Sequence, residues 1–242
     1  MTSQRGTVTR TEEVYDELRA ELLNLNGQYA PGQRLKLLDL AQRFSASLSV
    51  IREALTRLAE QGLLVATPQR GFSVRELSVP DLADLTQVRV QIESLALRQA
   101  VALGDVAWET TVVATHHTLE RTPVTDDTGQ FNEGWSVAHR AFHQALVAGC
   151  GSPRLAEIAT SLRDSAELYR RWYWVLTDDH ARNVPAEHRG LRDLAVNRDA
   201  DAAVELLTEH IERAPRELIA YANQHDRPRL AADGGLSRSE SG

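Results

Sequence analysis

The sequence predicts a mainly α-helical protein made of an N-terminal winged helix-turn-helix, with a small β-hairpin wing, and a C-terminal all-α antiparallel helical bundle. Two observations predict this fold. Before residue 77, a short helix, a serine-rich turn and an amphipathic helix precede a hairpin pattern. From residue 80 onward, long helical periodicities alternate with short turns. We therefore divide the chain into residues 1–77, residues 78–225 and a polar tail, 226–242, that is predicted to be disordered.

The first two helices are predicted from the spacing of apolar residues. Val14, Leu18 and Leu22 recur every four residues within 11–24, so they share one face of an amphipathic helix. Breaker residues follow, and residues 37–44 then predict a short second helix.

A third helix follows a serine-rich turn. Ser47 or Ser49 is a suitable N-cap, because a serine hydroxyl accepts a hydrogen bond from the free backbone amides of the first turn. The helix is predicted to end near Gly62 and to bury a stripe of Ile51, Ala54, Leu55 and Leu58. In a helix-turn-helix, the first turn of this helix enters the major groove. Here that turn presents Leu48, Ser49 and Arg52.

A hairpin pattern follows the third helix. The apolar segments 63–65 and 72–74 flank a turn that contains Pro68 and the pair Arg70 and Gly71. This pattern predicts a wing with Arg70 at its tip, beside a phosphate or the minor groove. A small three-helix bundle that binds no nucleic acid is the alternative for this pattern alone.

The charge is divided unevenly along the chain, whose net charge is −7. Residues 1–77 hold ten Lys and Arg against nine Asp and Glu, whereas the rest of the chain holds 17 against 25. The acidity therefore belongs to the C-terminal part. Because the N-terminal part is only slightly basic, affinity for DNA is expected from a few well-placed arginines and from two copies of the domain.

Composition predicts a cytoplasmic protein that does not enter a membrane. No apolar run approaches the roughly 20 residues of a membrane helix, and the polar residues 1–10 lack the apolar core of an export signal. The single cysteine, Cys150, excludes a disulfide within the chain, which favours a reducing compartment.

Several N-terminal segments together resemble the winged helix of GntR-type bacterial regulators. These segments are 29–35, 39–41, 51–55, 62–64 and 70–74, and the resemblance covers residues 11–76. It implies that Arg52 contacts a base or a phosphate. It also implies that Ser47 and Ser49 contact the DNA backbone and that Arg70 and Gly71 form the wing tip. The family often has an arginine at the position of Leu48, so this base contact is either missing or replaced by apolar contact with a thymine methyl.

Four histidines of the C-terminal part have spacings that can bring their imidazoles together. His139 and His143 are four residues apart and share one helix face. His188 lies nine residues before the turn at 197–199, and His210 lies eleven residues after it. These separations correspond to about 14 and 17 Å, so antiparallel packing puts the two rings at nearly the same height. Hydrogen-bonded core or surface histidines are the alternative for each residue alone.

The segments around these histidines resemble the FCD ligand-binding domain of FadR-type members of the GntR superfamily. They are 138–146, 150–155, 187–191 and 209–211, and the resemblance covers about 80–222. Many FCD domains hold a divalent metal with one Asp and three His. The resemblance implies a metal site of His139, His143, His188 and His210, with His139 at the position of the Asp. A fourth imidazole favours Zn, or else Ni or Co, over harder ions. A metal-free pocket is the alternative.

Such a metal has coordination positions that the carboxylate of a small organic-acid effector can fill. By the resemblance, Arg89 lines the cavity and can bind the acid. The alternative for Arg89 is an ion pair with Glu93, four residues later on the same helix. An aromatic group either walls the pocket or belongs to the core, and it consists of Tyr169, Trp172, Tyr173 and Trp174.

Together these features predict a homodimeric, DNA-binding transcriptional regulator that reads a palindromic operator and responds to a carboxylate effector. Relief of repression is the commoner arrangement in the family, so a repressor is expected. An enzyme is not expected, because Glu187 and Glu209 each adjoin a histidine and therefore point about 100° away from the metal face. A regulator that senses the metal itself and a metalloenzyme with an accessory winged helix are the alternatives.

Overall fold

The computed structural model describes residues 9–23, 29–76, 78–126, 131–176 and 183–224. It divides into two compact units, of which Val79–Tyr221 is one, and the described residues before Val79 and after Tyr221 belong to the other. The tail predicted at 226–242 lies outside the described residues, so its predicted disorder is not addressed by the structure.

The helices of the N-terminal unit are α1 (Arg10–Leu23), α2 (Leu37–Arg43) and α3 (Leu48–Glu60). Both α1 and α2 pack against α3. The stripe predicted for α3 is fully buried, and so are Val14 and Leu18 of α1, the helix that packs on α3. The predicted helix-turn-helix is therefore confirmed.

The wing is a three-stranded antiparallel sheet of β1 (Arg34–Leu35), β2 (Leu64–Thr67) and β3 (Gly71–Val74), in the order β1-β3-β2. The β2-β3 hairpin was predicted, whereas β1 was not. A strand of two residues is too short to show the alternation of apolar and polar residues that marks a strand in sequence.

The C-terminal unit is built from helices, as predicted. They are α4 (Val79–Leu103), α5 (Val106–Arg121), α6 (Glu133–Ala148), α7 (Pro153–Ser165), α8 (Glu167–Leu176), α9 (Val184–Val196) and α10 (Ala200–Gln224). Helix α5 packs against α6 and α9, and α4 packs against α6 and α7. Phe142 and Leu97 are fully buried between these helices. None of the helices in the described ranges has an apolar stretch that could cross a membrane.

One predicted helix is divided in the structure. The helical pattern of residues 153–177 predicts a single helix, but α7 ends at Ser165 and α8 begins at Glu167. The backbone amide of Ala166 donates to the carbonyls of both Leu162 and Arg163, which tightens the last turn of α7. Neither glycine nor proline stands there, so nothing in the sequence pattern marked the break.

Candidate functional site

The residues predicted to read DNA lie together at the beginning of α3. Ser47 is the N-cap, and its hydroxyl accepts a hydrogen bond from the amide of Val50 at 3.3 Å. The hydroxyls of Ser47 and Ser49 are 2.8 Å apart. The side chain of Leu48 is 47% exposed, and Arg52 is also exposed. The first turns of α3 therefore present two hydroxyls, one apolar side chain and one cation to solvent.

The second predicted contact region is the turn between β2 and β3. The amide of Arg70 donates to the carbonyl of Thr67 at 3.0 Å, and Gln69 has a φ of 61°. Gly71 has a φ of 82°, a conformation that favours glycine. Apart from Gly71 itself and its two chain neighbours, no atom lies within 4 Å of the position that a Cβ would occupy on Gly71. Arg70 is exposed at this tip.

The structure brings the four predicted histidines into one cluster. His139 and His143 come from α6, His188 from α9 and His210 from α10. One ring nitrogen of each lies within 4.8 Å of the others. The Nε2 atoms of His143 and His188 are 3.4 Å apart. Three of the rings are buried, and the side chain of His210 is 9% exposed.

The cluster fits a metal ion by its chemistry, and the Nε2 atoms of His143 and His188 have the spacing of two ligands. The Nδ1 atoms of His139 and His143 are buried and have no hydrogen-bond partner in the structure. Burial lowers the pKa of both imidazoles well below the usual value, and nearby positive charges lower it further. The rings are therefore neutral, as ligands must be. Two nitrogens bound to one tetrahedral zinc ion are about 3.4 Å apart, given Zn–N bonds of about 2.0–2.1 Å. The Nε2 atoms of His143 and His188 have this separation.

Glu187 hydrogen-bonds to one ring of the cluster, that of His210. Nδ1–H of His210 donates a hydrogen bond to the carboxylate of Glu187 at 2.7 Å, so Nε2 is the nitrogen left for a ligand bond. Sequence reasoning placed Glu187 away from the metal face and missed this contact. Glu209 is exposed and accepts a hydrogen bond from Arg216 at 2.8 Å.

A cavity of about 320 Å³ opens beside the histidines. Its wall includes His139, His143 and His210, and Trp135 stacks on His139 with a ring separation of 4.7 Å. The other residues lining it are Arg89, Val124, Phe131, Arg163, Ala166, Tyr169, Arg170, Tyr173, Trp174, Val184, Pro185, Ile211, Ala214, Pro215 and Leu218. It is an aromatic pocket with arginines in its wall.

The predicted aromatic group is divided between pocket and core. Tyr169, Tyr173 and Trp174 line the cavity, as the first alternative predicted. Trp172 belongs to the core, as the second predicted. Trp172 is 1% exposed and packs edge-on against Tyr169. The hydroxyl of Tyr169 also donates to the carboxylate of Asp81, in the first turn of α4, at 2.6 Å.

Arg89 forms the ion pair with Glu93 that was the alternative, and the residue also lines the cavity. Its Nε donates to Glu93 at 2.8 Å. Burial lowers the pKa of Arg89 to about 10. The charge of Arg89 is one of the causes that lower the pKa of His143, after burial and the neighbouring histidines.

Among the site residues that the sequence did not reveal, three make specific contacts: Trp135, Glu187 and Arg163. Trp135 precedes His139 by four residues, and this spacing was the available signal. Glu187 adjoins a predicted ligand, but its contact lies across the α9-α10 pair. Arg163 contacts Glu93 from 70 residues away, and nothing local in the sequence marks that pair.

Two family models match the chain. The model described as bacterial regulatory proteins, gntR family, matches residues 10–74, and the FCD domain model matches residues 84–213. Together they account for both units.

Curated relatives are similar along most of their length. The chain is 41% identical to the HTH-type transcriptional regulator BphR of Paraburkholderia xenovorans strain LB400 over 83% of this chain and 82% of that protein. It is 30% identical to the HTH-type transcriptional repressor GlaR of Escherichia coli strain K12 over 77% and 86%, respectively.

Solved structures share the fold. Escherichia coli McbR/YncC superposes with a TM-score of 0.68 at 21% identity, covering 90% of this chain and all of that one. A GntR transcriptional regulator from Rhodococcus sp. RHA1 superposes with a TM-score of 0.65 at 25% identity, covering 87% and 98%. The chain therefore belongs to the GntR family of bacterial transcriptional regulators, and its C-terminal part is an FCD domain.

Proposed function

We propose that this regulator is a repressor that binds a palindromic operator as a homodimer and is controlled by a small organic acid. The acid occupies the cavity beside a metal held by the four histidines. One observation carries the proposal: four ring nitrogens within 4.8 Å of one another lie at a 320 Å³ cavity that Arg89 also lines. That volume is at the small end of ligand pockets but exceeds what a metal ion alone needs.

In this proposal residues 1–77 bind DNA and residues 78–225 bind the effector and the second protomer. Ser47 and Ser49 contact phosphates, Arg52 contacts a base or a phosphate, and Leu48 packs on a thymine methyl. Arg70 and Gly71 place the wing against the adjacent backbone. Two-fold symmetry of the dimer gives one recognition helix for each half of the operator.

The metal is proposed to be zinc, with nickel or cobalt as the other ions that suit four imidazoles. His139, His143, His188 and His210 hold it. When bound, it supplies a positive centre that attracts the carboxylate of an acid. Arg89 binds the same carboxylate by a charge-assisted hydrogen bond.

The described lining supports an acidic ligand, and the contact of Glu187 with His210 supports a regulator that is not an enzyme. The described residues that line the cavity include three arginines and neither Asp nor Glu. Hydrolysis at a metal centre needs a general base within reach of the attacking water. The carboxylate of Glu187 instead accepts a hydrogen bond from Nδ1–H of His210.

The direction of regulation is proposed from one relative. GlaR, which is 30% identical to this chain, is a transcriptional repressor. Effector binding in the FCD domain then lowers the affinity of the winged helices for DNA, by the difference in binding energy between the two states.

Elemental analysis and DNA binding on the purified, untagged chain test this function. About one equivalent of zinc, nickel or cobalt per chain is expected, together with enrichment of a palindromic sequence from random duplex DNA. A folded protein without metal overturns the metal site but leaves the DNA-binding function. A protein that enriches no sequence overturns the operator-binding function. A regulator of metal ions would instead lose or gain DNA affinity when metal alone is added.

A further inference from the structure

Two arginines on the cavity wall share one carboxylate. Glu93 of α4 is fully buried, and its Oε1 accepts a hydrogen bond from Nε of Arg89 at 2.8 Å. Its Oε2 is paired with the guanidinium of Arg163 on α7. Both arginines are among the residues that line the cavity. One carboxylate balances one of the two cations, so this buried group carries one excess positive charge.

The hydrogen-bonding capacity of Arg163 is only partly used. Its side chain is 3% exposed, and its Nε and Nη1 atoms are buried without a hydrogen-bond partner in the structure. Burial, together with the charge of Arg89, lowers the pKa of Arg163 well below its ordinary value. A buried donor without an acceptor is unfavourable, and Arg163 is one of the residues that line the cavity.

The neighbouring acids are each paired with a different arginine. Glu167 pairs with Arg170, and Asp164 pairs with Arg140 at 2.5 Å. The described residues that line the cavity include no Asp or Glu that could accept a hydrogen bond from the unused N–H groups of Arg163. The acceptor that Arg163 lacks is therefore one that a bound molecule can bring.

We propose that Arg163 is a second anion-binding subsite of the cavity and that the effector is a dicarboxylic acid. This inference rests on the proposed function, in which the first carboxylate lies at the histidine cluster with Arg89. The second carboxylate accepts a charge-assisted hydrogen bond from an unused N–H of Arg163 and balances the excess charge. The volume of 320 Å³ and the aromatic walls favour a short acid with an apolar spacer.

The subsite is tested by calorimetric titration of the full-length protein, after its metal content has been measured. The titrants are pairs of a diacid and a monoacid. The pairs are succinate and butyrate, glutarate and pentanoate, adipate and hexanoate, and isophthalate and benzoate. Each pair keeps the carbon skeleton similar and changes the number of carboxylates. In at least one pair the diacid is expected to bind about tenfold or more tightly than the monoacid, the scale of a charge-assisted hydrogen bond.

Variants then assign that preference to Arg163. Arg163→Gln should reduce the diacid to the affinity of the monoacid, whereas Arg163→Lys, which keeps the charge, should retain part of the difference. Arg154→Gln is the matched control, because Arg154 is an exposed arginine on the same helix. If Arg163→Gln does not fold, Glu93→Gln replaces it. That variant removes the competing carboxylate and should keep or enlarge the preference for the diacid.

The outcomes separate the two proposals. Equal affinity for diacid and monoacid in every pair overturns the Arg163 subsite while leaving the acid effector in place. A preference for diacids that survives in Arg163→Gln, or is lost in Glu93→Gln, also overturns the subsite. Failure of every acid to bind overturns both the subsite and the acid effector.

Discussion

His210 and Glu187 lie on different helices, and Nδ1–H of His210 donates to the carboxylate of Glu187 across 2.7 Å. Such a bond fixes the orientation of the ring and makes Nε2 a better donor of its electron pair to a metal. Glu187→Gln is therefore expected to weaken metal binding by about 10- to 100-fold. Competition with a chromophoric chelator measures this change.

The adjacent glutamate provides the control for that prediction. Glu209 is exposed and directly precedes His210, and its carboxylate is occupied by Arg216. Glu209→Gln should leave the metal affinity unchanged within about twofold. Equal losses in the two variants would show that general electrostatics, and not the orientation of His210, determines the affinity.

Removal of two ligands is expected to abolish the metal site. In the double variant His188→Ala and His210→Ala, two helices each lose a ligand, so elemental analysis should find far less than one equivalent per chain. The melting temperature should no longer rise when zinc is added, because a ligand stabilises only the state that binds it. The exposed His117→Ala is the control. Full metal occupancy in the double variant would contradict the assignment.

Arg52 is predicted to carry part of the sequence recognition. The side chain is exposed on the first turns of α3, so Arg52→Ala should leave thermal stability nearly unchanged. Its loss should weaken operator binding by about 1–3 kcal/mol, which is roughly 5- to 150-fold. Fluorescence anisotropy with labelled operator measures the effect, and Arg154→Ala controls for the loss of one charge. An unchanged affinity in Arg52→Ala would remove Arg52 from the DNA-reading surface.

His116 is predicted to make the stability depend on pH. The ring is 1% exposed, packs edge-on against Phe142 and accepts a hydrogen bond from Arg192 at 3.2 Å. Burial, and then the charge of Arg192, lowers the pKa of His116. The unfolded chain therefore takes up a proton below about pH 6.5 before the folded chain does. This part of the stability is present above that pH and is lost as the pH falls through the folded-state pKa.

The variant His116→Gln keeps a hydrogen-bond acceptor for Arg192 but cannot take up the proton. The fall in the unfolding free energy between pH 7.5 and 5.5 should be smaller in this variant, by up to about 1.4 kcal/mol. Urea unfolding at both pH values measures the difference, and exposed His117→Gln serves as the control. Equal losses in His116→Gln and the unaltered protein would contradict the role of His116.

Much of the fold could be predicted because it depends on local periodicity. The stripe of α3 and the turn around Arg70 each lie within about a dozen residues, and both were located from the spacing of apolar and turn residues. The histidines were also accessible, because two share one helix turn and two flank one interhelical turn at similar distances. Helical geometry then fixes which rings can meet.

The unpredicted features depend on pairs that are far apart in sequence. Arg163 and Glu93 meet only because α7 packs on α4, and no local pattern encodes that pairing. The break at Ala166 likewise depends on one shared amide hydrogen bond and not on a breaker residue. The dual position of Arg89, paired with Glu93 and also lining the cavity, required the three-dimensional packing of α4.

The hydrogen bond from Tyr169 to Asp81 sets a limit on allosteric coupling. Tyr169 lines the cavity, and Asp81 lies in the first turn of α4. An effector that displaces the phenol of Tyr169 therefore breaks its hydrogen bond to Asp81. Because the acceptor is a carboxylate, a single such bond contributes about 1.5–3 kcal/mol. Any response of DNA affinity carried by it alone is thus confined to about 13- to 150-fold. The change in DNA affinity that the effector causes is compared between Tyr169→Phe and the unaltered protein, which measures the contribution of this bond. A loss of response larger than this range would show that other contacts of the cavity also transmit the effect.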